Sequence, residues 1–279
     1  MSVWVQNAWA RPIVGALLGS VVAFAAYRAR ALTRSGFVAA AITGTIAVAA
    51  GWSWAAVLVG YFASSTLLSR LGAERKRARL AGMVDKPGAR DASQVMANGF
   101  PFLFCALLAV FGAIPEPLRL MTLATGSLAA SAADTWATEI GTMVGQTPRS
   151  ILTWQVMTVG ESGGVTLVGS LASLAGAAFV GAVAVLAGVS AGAFPLIVLG
   201  GITGAVADSF LGATVQRRSW CDTCGRATEM RVHDCGTVPR HVAGIAWLEN
   251  DAVNLVATVT GALVPWLLMP FIAQSPVRQ

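Results

Sequence analysis

The chain has 279 residues, 56% of them hydrophobic and only 11% charged, with a formal net charge of +6 and a mean hydropathy of +0.68. Soluble domains carry about 25% charged residues, so this balance excludes an ordinary cytosolic enzyme and a disordered chain, and four Cys are too few for a stapled secreted fold. What remains is a chain whose solvent is mostly lipid, where each helical span takes about 20 apolar residues.

Uncharged gaps mark the spans. The first lies at 12–27, between Arg11 and Arg28, and Arg-rich sequence follows it in place of a small-residue cleavage site, so it is expected to stay in the mature protein. The gap 35–69 holds two helices that turn at Gly51-Trp52-Ser53-Trp54, where a breaker meets interfacial aromatics. A fourth span at 92–115 is entered through Arg90-Asp91-Ala92-Ser93-Gln94 and ended by Pro115 and Pro117. Asp91, Gln94 and Asn98 recur at helical spacing on one face, which suits either a polar cavity or a plain helix cap.

The fifth span, about 118–143, carries Asp134 and Glu139. Five positions rotate a helix by about 140°, so either this span is interrupted or Glu139 has a partner of its own. Pro148-Arg149 and the turn Gly160-Glu161-Ser162-Gly163-Gly164-Val165-Thr166 lead into the sixth span, about 163–187. Backbone N–H groups at such a helix start receive phosphate oxygens, with Arg149 as counter-charge; the alternative use of the Gly run is close helix packing. Gly188 to Pro195 turns the chain into a seventh span, 194–216, which contains Asp208.

The loop 217–249 holds Cys221-x2-Cys224, His233-x-Cys235 and His241. Four of these five residues suit a structural Zn²⁺ with tetrahedral ligands, free thiols in a reducing cytoplasm being the alternative. Glu249-Asn250-Asp251 opens the last span, 252–272, where Asn250 and Asn254 share a face. The expected fold class is therefore all-α: a polytopic membrane helix bundle of about eight spans, one integral membrane domain over 1–279, with 217–249 as a small cytoplasmic loop.

A shift of 74 positions superposes Gly126-x6-Ala133-Asp134-Thr135-Trp136 on Gly200-x6-Ala207-Asp208-Ser209-Phe210. Both copies sit in odd-numbered spans running inward, so the repeat is parallel and sets Asp134 and Asp208 at similar depth. An intramembrane carboxylate is costly and marks a functional site by default; a protonated Asp bonded to a nearby Ser or Thr is the bland alternative. With the N-terminus outside, sixteen of the nineteen Lys and Arg fall in inner loops. The positive charge is thus a topology signal, nucleic-acid binding is not expected, and the polar segments face the cytoplasm across what is expected to be a bacterial-type inner membrane.

At its polar segments the chain resembles the phytyl-phosphate kinase and transmembrane-protein-19-like membrane family. The matching residues are Arg90-Asp91-Ala92 with Gln94 and Ala97-Asn98-Gly99; Ala133 to Gly141 with Asp134 and Glu139; Pro148-Arg149; Ser162-Gly163-Gly164-Val165-Thr166; Asp208-Ser209 with Leu211 to Thr214; and Asn250-Asp251 with Val253-Asn254. Glu161 departs from the pattern, which has a small or hydroxyl residue there. The resemblance covers about residues 10–272 and implies CTP-dependent phosphorylation of an isoprenyl monophosphate, with distant similarity to polyprenol kinases and lipid-phosphate cytidylyltransferases.

Taken together, these features lead to the expectation of a membrane kinase using Mg²⁺ and CTP, with an isoprenyl phosphate seated in the bilayer. Asp134, Asp208 and Asp251, with Glu139, are expected to hold Mg²⁺. Arg90, Arg149 and Lys86 are expected to hold phosphates, and Gln94, Asn98, Ser162, Gly163, Gly164, Thr166, Asn250 and Asn254 to line the nucleotide and lipid-phosphate site. The rival class is a secondary transporter, for which paired intramembrane acids in a repeat are ordinary signs. Homo-oligomerisation stays open.

Overall fold

The computed structural model describes residues 10–80, 83, 88–113 and 117–273; Lys86, Pro115 and Arg278 lie outside the described residues. Among the described residues the helices are α1 (Ala10–Arg28), α2 (Arg34–Ala50), α3 (Trp52–Arg70), α4 (Ala73–Leu80), α5 (Ala92–Val110), α6 (Pro117–Val144), α7 (Leu167–Leu186), α8 (Phe194–Thr214) and α9 (Asn250–Ala273). Eight of them are the eight expected helices, and α4 is an additional short basic one.

By length and apolarity, α1, α5, α7, α8 and α9 are each able to cross a membrane, and α3 with α4, bent by 71°, makes a sixth. The other two fall short for different reasons. Helix α2 has 17 residues, about 26 Å at 1.5 Å per residue against about 30 Å of hydrocarbon. Helix α6 has 28 residues but includes Arg119, Asp134 and Glu139.

Local chemistry sets the helix starts. Thr33 Oγ1 accepts from Gly36 N at 3.2 Å, Thr166 Oγ1 accepts from Gly169 N at 2.9 Å, and Asp91 forms a capping box with Gln94. Helix α6 lies at the centre, packed against α3, α5, α7, α8 and α9. Its buried face is built from Ala124, Ala129, Ala132 and Ala133, small side chains that let helix backbones approach closely.

The sequence repeat is visible in that packing. A Cβ at Gly126 in α6 would lie 2.4 Å from Gly261 O of α9, and one at Gly200 in α8 would lie 2.5 Å from the same oxygen; a Cβ at Gly204 would meet Ala130 Cβ. Positions 126 and 200, then 130 and 204, are thus equivalent across the pair. Helices α6 and α8 run parallel at the 74-residue offset, with α9 wedged antiparallel between them.

The short strands all belong to loops. Strand β1 (Arg149–Ser150) pairs antiparallel with β2 (Gly164–Val165). Strands β3 (Arg218–Cys221), β4 (Arg226–Thr228) and β5 (Arg240–Ala243) form an antiparallel sheet in the order β4-β3-β5. Helix α4 folds back so that Lys76 Nζ donates to Leu68 O (2.7 Å) and Ser69 O (3.0 Å) at the end of α3. Arg79 Nη1 donates to Thr142 O (2.6 Å) and Met143 O (2.9 Å) at the end of α6. These cations satisfy the last carbonyls of two helices, where the dipole favours positive charge.

Candidate functional site

Asp134 and Asp208 lie close enough for their carboxyl groups to interact. This follows from the parallel packing: once positions 126 and 200 share a contact, residues eight further along each helix come level. Two carboxylates so placed repel unless a proton or a cation stands between them. Asp208 Oδ1 is buried and has no partner among the described residues.

Both acids line one cavity of about 980 Å³, at the upper end of the roughly 300–1,000 Å³ of ligand pockets. Four loops close around it: the α1–α2 turn with Arg30, the α3–α5 segment with Lys76, Arg77 and Arg90, the α6–α7 segment with Gln146 and Glu161 to Thr166, and the α8–α9 loop with Arg217, Glu229 and Glu249. These are the four loops that carry the basic residues. Arg90 is held by its backbone, its N donating to Ala31 O at 2.9 Å and its O accepting from Thr33 N at 3.0 Å. The side chains of Arg30, Arg77 and Arg90 reach the cavity without a side-chain partner among the described residues.

Helix α6 is unbroken through Glu139, and Glu139 has its own partner, a salt bridge to the buried Lys76. It lines the same cavity as Asp134 and Asp208, but its ion-pair partner is Lys76. Asp251 lies in the first turn of α9, and Ser93 Oγ sits between it and Asp91, 2.6 Å from Asp251 Oδ2 and 2.8 Å from Asp91 Oδ1.

Several expected ligand-binding side chains are engaged in structure. Asn98 is absent from the cavity wall: Ser131 donates to Asn98 Oδ1 at 2.7 Å, Tyr61 OH lies 2.7 Å from Ser131 Oγ, and Asn98 Nδ2 donates to Gln94 O at 2.8 Å. Buried polar groups in a membrane bundle must be satisfied in this way. Gln94 lines the cavity, yet its Oε1 accepts from Asp91 N at 3.1 Å to close the capping box. Arg149 and Asn254 also lie off the wall, and Arg149 Nη1 donates to Trp154 O at 2.9 Å. Asn250 lines it.

The Ser162–Thr166 turn lines the cavity, but its hydroxyls are used. Ser162 Oγ donates to Glu229 and accepts from Gln216 Nε2 at 2.9 Å, and Thr166 caps α7. Gly163 has φ +87°, and a Cβ there would lie 2.6 Å from the Ala213 backbone, so its first role is close approach to α8. Glu161, the departure from the family pattern, accepts from Thr158 N at 3.2 Å.

Glu229 is the residue that sequence reasoning missed. It follows β4 and donates its backbone N–H to Met83 O at 2.8 Å. Burial pushes its carboxyl above the ordinary value, against the opposing hydrogen bonds from Ser162 and the charge of Arg218. No periodicity marks a single acid in a loop of this kind. Burial also raises the Glu249 carboxyl, but Arg231 and Arg217 outweigh it and hold that group below its usual range; the two ion pairs measure 2.7 and 2.8 Å.

In the same loop the ligand atoms of Cys221, Cys224, His233 and Cys235 all lie within 4.8 Å of one another. His241 stands apart, its Nε2 3.1 Å from Gly244 O.

A helix bundle with a parallel repeat and paired acids on the wall of a cavity of about 980 Å³ defines an integral membrane protein with a ligand-sized site. The chain belongs to the family described as integral membrane protein DUF92, which matches residues 17–262. It is 28% identical to Protein PGR of Arabidopsis thaliana over 88% of this chain and 92% of that protein. It is 30% identical to an uncharacterised membrane protein of Methanocaldococcus jannaschii over 92% and 94% of the two chains. Protein VTE6, chloroplastic, also of Arabidopsis thaliana, is 26% identical over 88% of this chain and 68% of its own length. These relatives fit the family that the motifs resemble. No solved structure matches the chain.

Proposed function

We propose that this protein is a membrane-embedded, Mg²⁺-dependent phosphotransferase that moves the γ-phosphoryl group of CTP onto an isoprenyl monophosphate, phytyl or polyprenyl. The observation that carries this reading is the pair of facing acids, Asp134 and Asp208, on the wall of a cavity that also presents Arg30, Arg77 and Arg90. Family membership and the relative VTE6 support the same class.

The donor set suits a hard cation: oxygen ligands only, one carboxylate oxygen lacking a partner among the described residues, and space for water and phosphate oxygens. Mg²⁺ held there would supply the positive charge that neutralises the charge developing during transfer. Asp134 and Asp208 would hold it, with Asp251 and Asn250 at the start of α9. Arg90, expected with Arg149 and Lys86 to hold phosphates, would do so together with Arg30 and Arg77, since the Arg149 guanidinium donates to Trp154 O. The attacking monophosphate is already ionised, so the site needs no general base. The isoprenyl tail would lie between helices, and the loops that carry sixteen Lys and Arg would place the opening on the cytoplasmic side of an inner membrane.

Purified protein with Mg²⁺, labelled CTP or ATP, and phytyl or geranylgeranyl phosphate tests the reading. The expected result is a labelled diphosphate, abolished by Asp208→Asn. Release of pyrophosphate would instead identify cytidylyl transfer, and absence of turnover with any nucleotide, together with tracer uptake into liposomes, would establish a transporter.

A further inference from the structure

The loop between α8 and α9 contains a donor cluster that the phosphotransfer chemistry does not use. We infer that Cys221, Cys224, His233 and Cys235 bind one structural Zn²⁺, and that this ion clamps the loop that carries Glu229 against the cavity.

The cluster is assembled by two tight turns. In the first, Gly225, at φ +62°, donates its N–H to Cys221 O at 2.8 Å, folding the Cys221-x2-Cys224 knuckle between β3 and β4. In the second, Gly236, at φ +82°, donates to His233 O at 2.8 Å and brings His233 and Cys235 to the same side. Zn–S bonds of about 2.3 Å and Zn–N bonds of about 2.0–2.1 Å at tetrahedral angles require S···S edges near 3.8 Å and S···N edges near 3.6 Å. The Cys221 and Cys235 sulfurs are 3.5 Å apart, and His233 Nδ1 lies 3.6 Å from Cys224 Sγ and 3.2 Å from Cys235 Sγ. A disulfide needs about 2.05 Å between sulfurs and would leave a third thiol and the imidazole unused. Four protein ligands with no open position make a structural rather than a catalytic site.

A second observation is the size of the sheet. Strands of four, three and four residues, with every residue of β5 exposed, bury too little apolar surface to hold a fold, and units this small need a staple. The metal supplies it at one end, while the Glu249 ion pairs tie the other. Zn²⁺ on Nδ1 puts the imidazole proton on Nε2, so the 3.3 Å contact from Arg226 Nε gives way in the loaded protein.

Metal analysis of the full-length protein, purified in detergent without chelator, is the test. About one zinc per chain is expected, falling to background in Cys221→Ser and in His233→Ala and staying unchanged in His241→Ala. Should the cysteine variant fail to fold, cobalt substitution of the wild type decides, because tetrahedral thiolate coordination gives intense visible bands. Loss of zinc in His241→Ala, or wild-type protein without zinc whose three loop thiols all react freely, would overturn the inference. These readouts do not depend on whether the protein transfers phosphate.

Discussion

Glu139 and Asp134 illustrate how a single rotation separates two acids on one helix. Asp134 meets Asp208 of the neighbouring repeat, whereas Glu139 neutralises Lys76, whose ammonium also satisfies two carbonyls at the end of α3. The charge pattern showed both acids, but only the packing assigned their partners. Glu229 belongs to the same scale. Its pKa is raised above the ordinary glutamate value of about 4.3, so its contribution to stability is complete below about pH 4.3 and is lost as pH rises through the raised value. Glu229→Gln keeps an acceptor for Ser162 without the charge. Its melting temperature should therefore rise relative to wild type with increasing pH, the two proteins converging below about pH 4.3. Thermal unfolding in detergent across pH checks this, and an offset independent of pH would refute it.

Among the elements, the seam of α6, α8 and α9 depends on glycine at 126, 200, 204 and 261. The repeat in the sequence pointed to parallel helices, but small residues alone do not say which helix occupies the gap; the carbonyl of Gly261 facing both Gly126 and Gly200 does. Gly200→Ala pushes a methyl group into that oxygen and should destabilise by about 1–3 kcal/mol, the usual cost of overpacking. Gly99→Ala, where a Cβ meets nothing within 4 Å, should stay within about 1 kcal/mol of wild type or gain from helix propensity. Equilibrium unfolding in a mild denaturing detergent measures both, and equal effects would mean that the seam is not close-packed. Helix α4 was the least legible element. Its run of cations reads as a solvated inner loop, yet Lys76 is buried and Arg79 caps α6, because helix carbonyls ending at one membrane face attract whatever positive charge is nearby.

At the scale of the whole molecule, all four basic loops meet around one cavity, as alternating spans demand. An impermeant maleimide applied to intact cells is expected to label Ala191→Cys, in the exposed turn before α8, and to miss Val238→Cys, which is 71% exposed in the α8–α9 loop. Both should react after permeabilisation, and the reverse pattern would invert the orientation and place the site outside.

Composition, hydropathy and charge spacing by themselves determined that the chain is a membrane helix bundle, where its eight long helices lie, that two of them repeat, and which loops are chemically rich. Apart from the repeat, which emerges from comparing the chain with itself at a 74-position shift, these are local properties, read from windows about as long as one helix. The pairing of Asp134 with Asp208, of Glu139 with Lys76, and of Ser162 with Glu229, and the choice of His233 over His241 beside the cysteines, were decided only by the tertiary structure. Each joins side chains whose encounter depends on how helices rotate about their axes and how loops close, and no stretch of sequence encodes that locally.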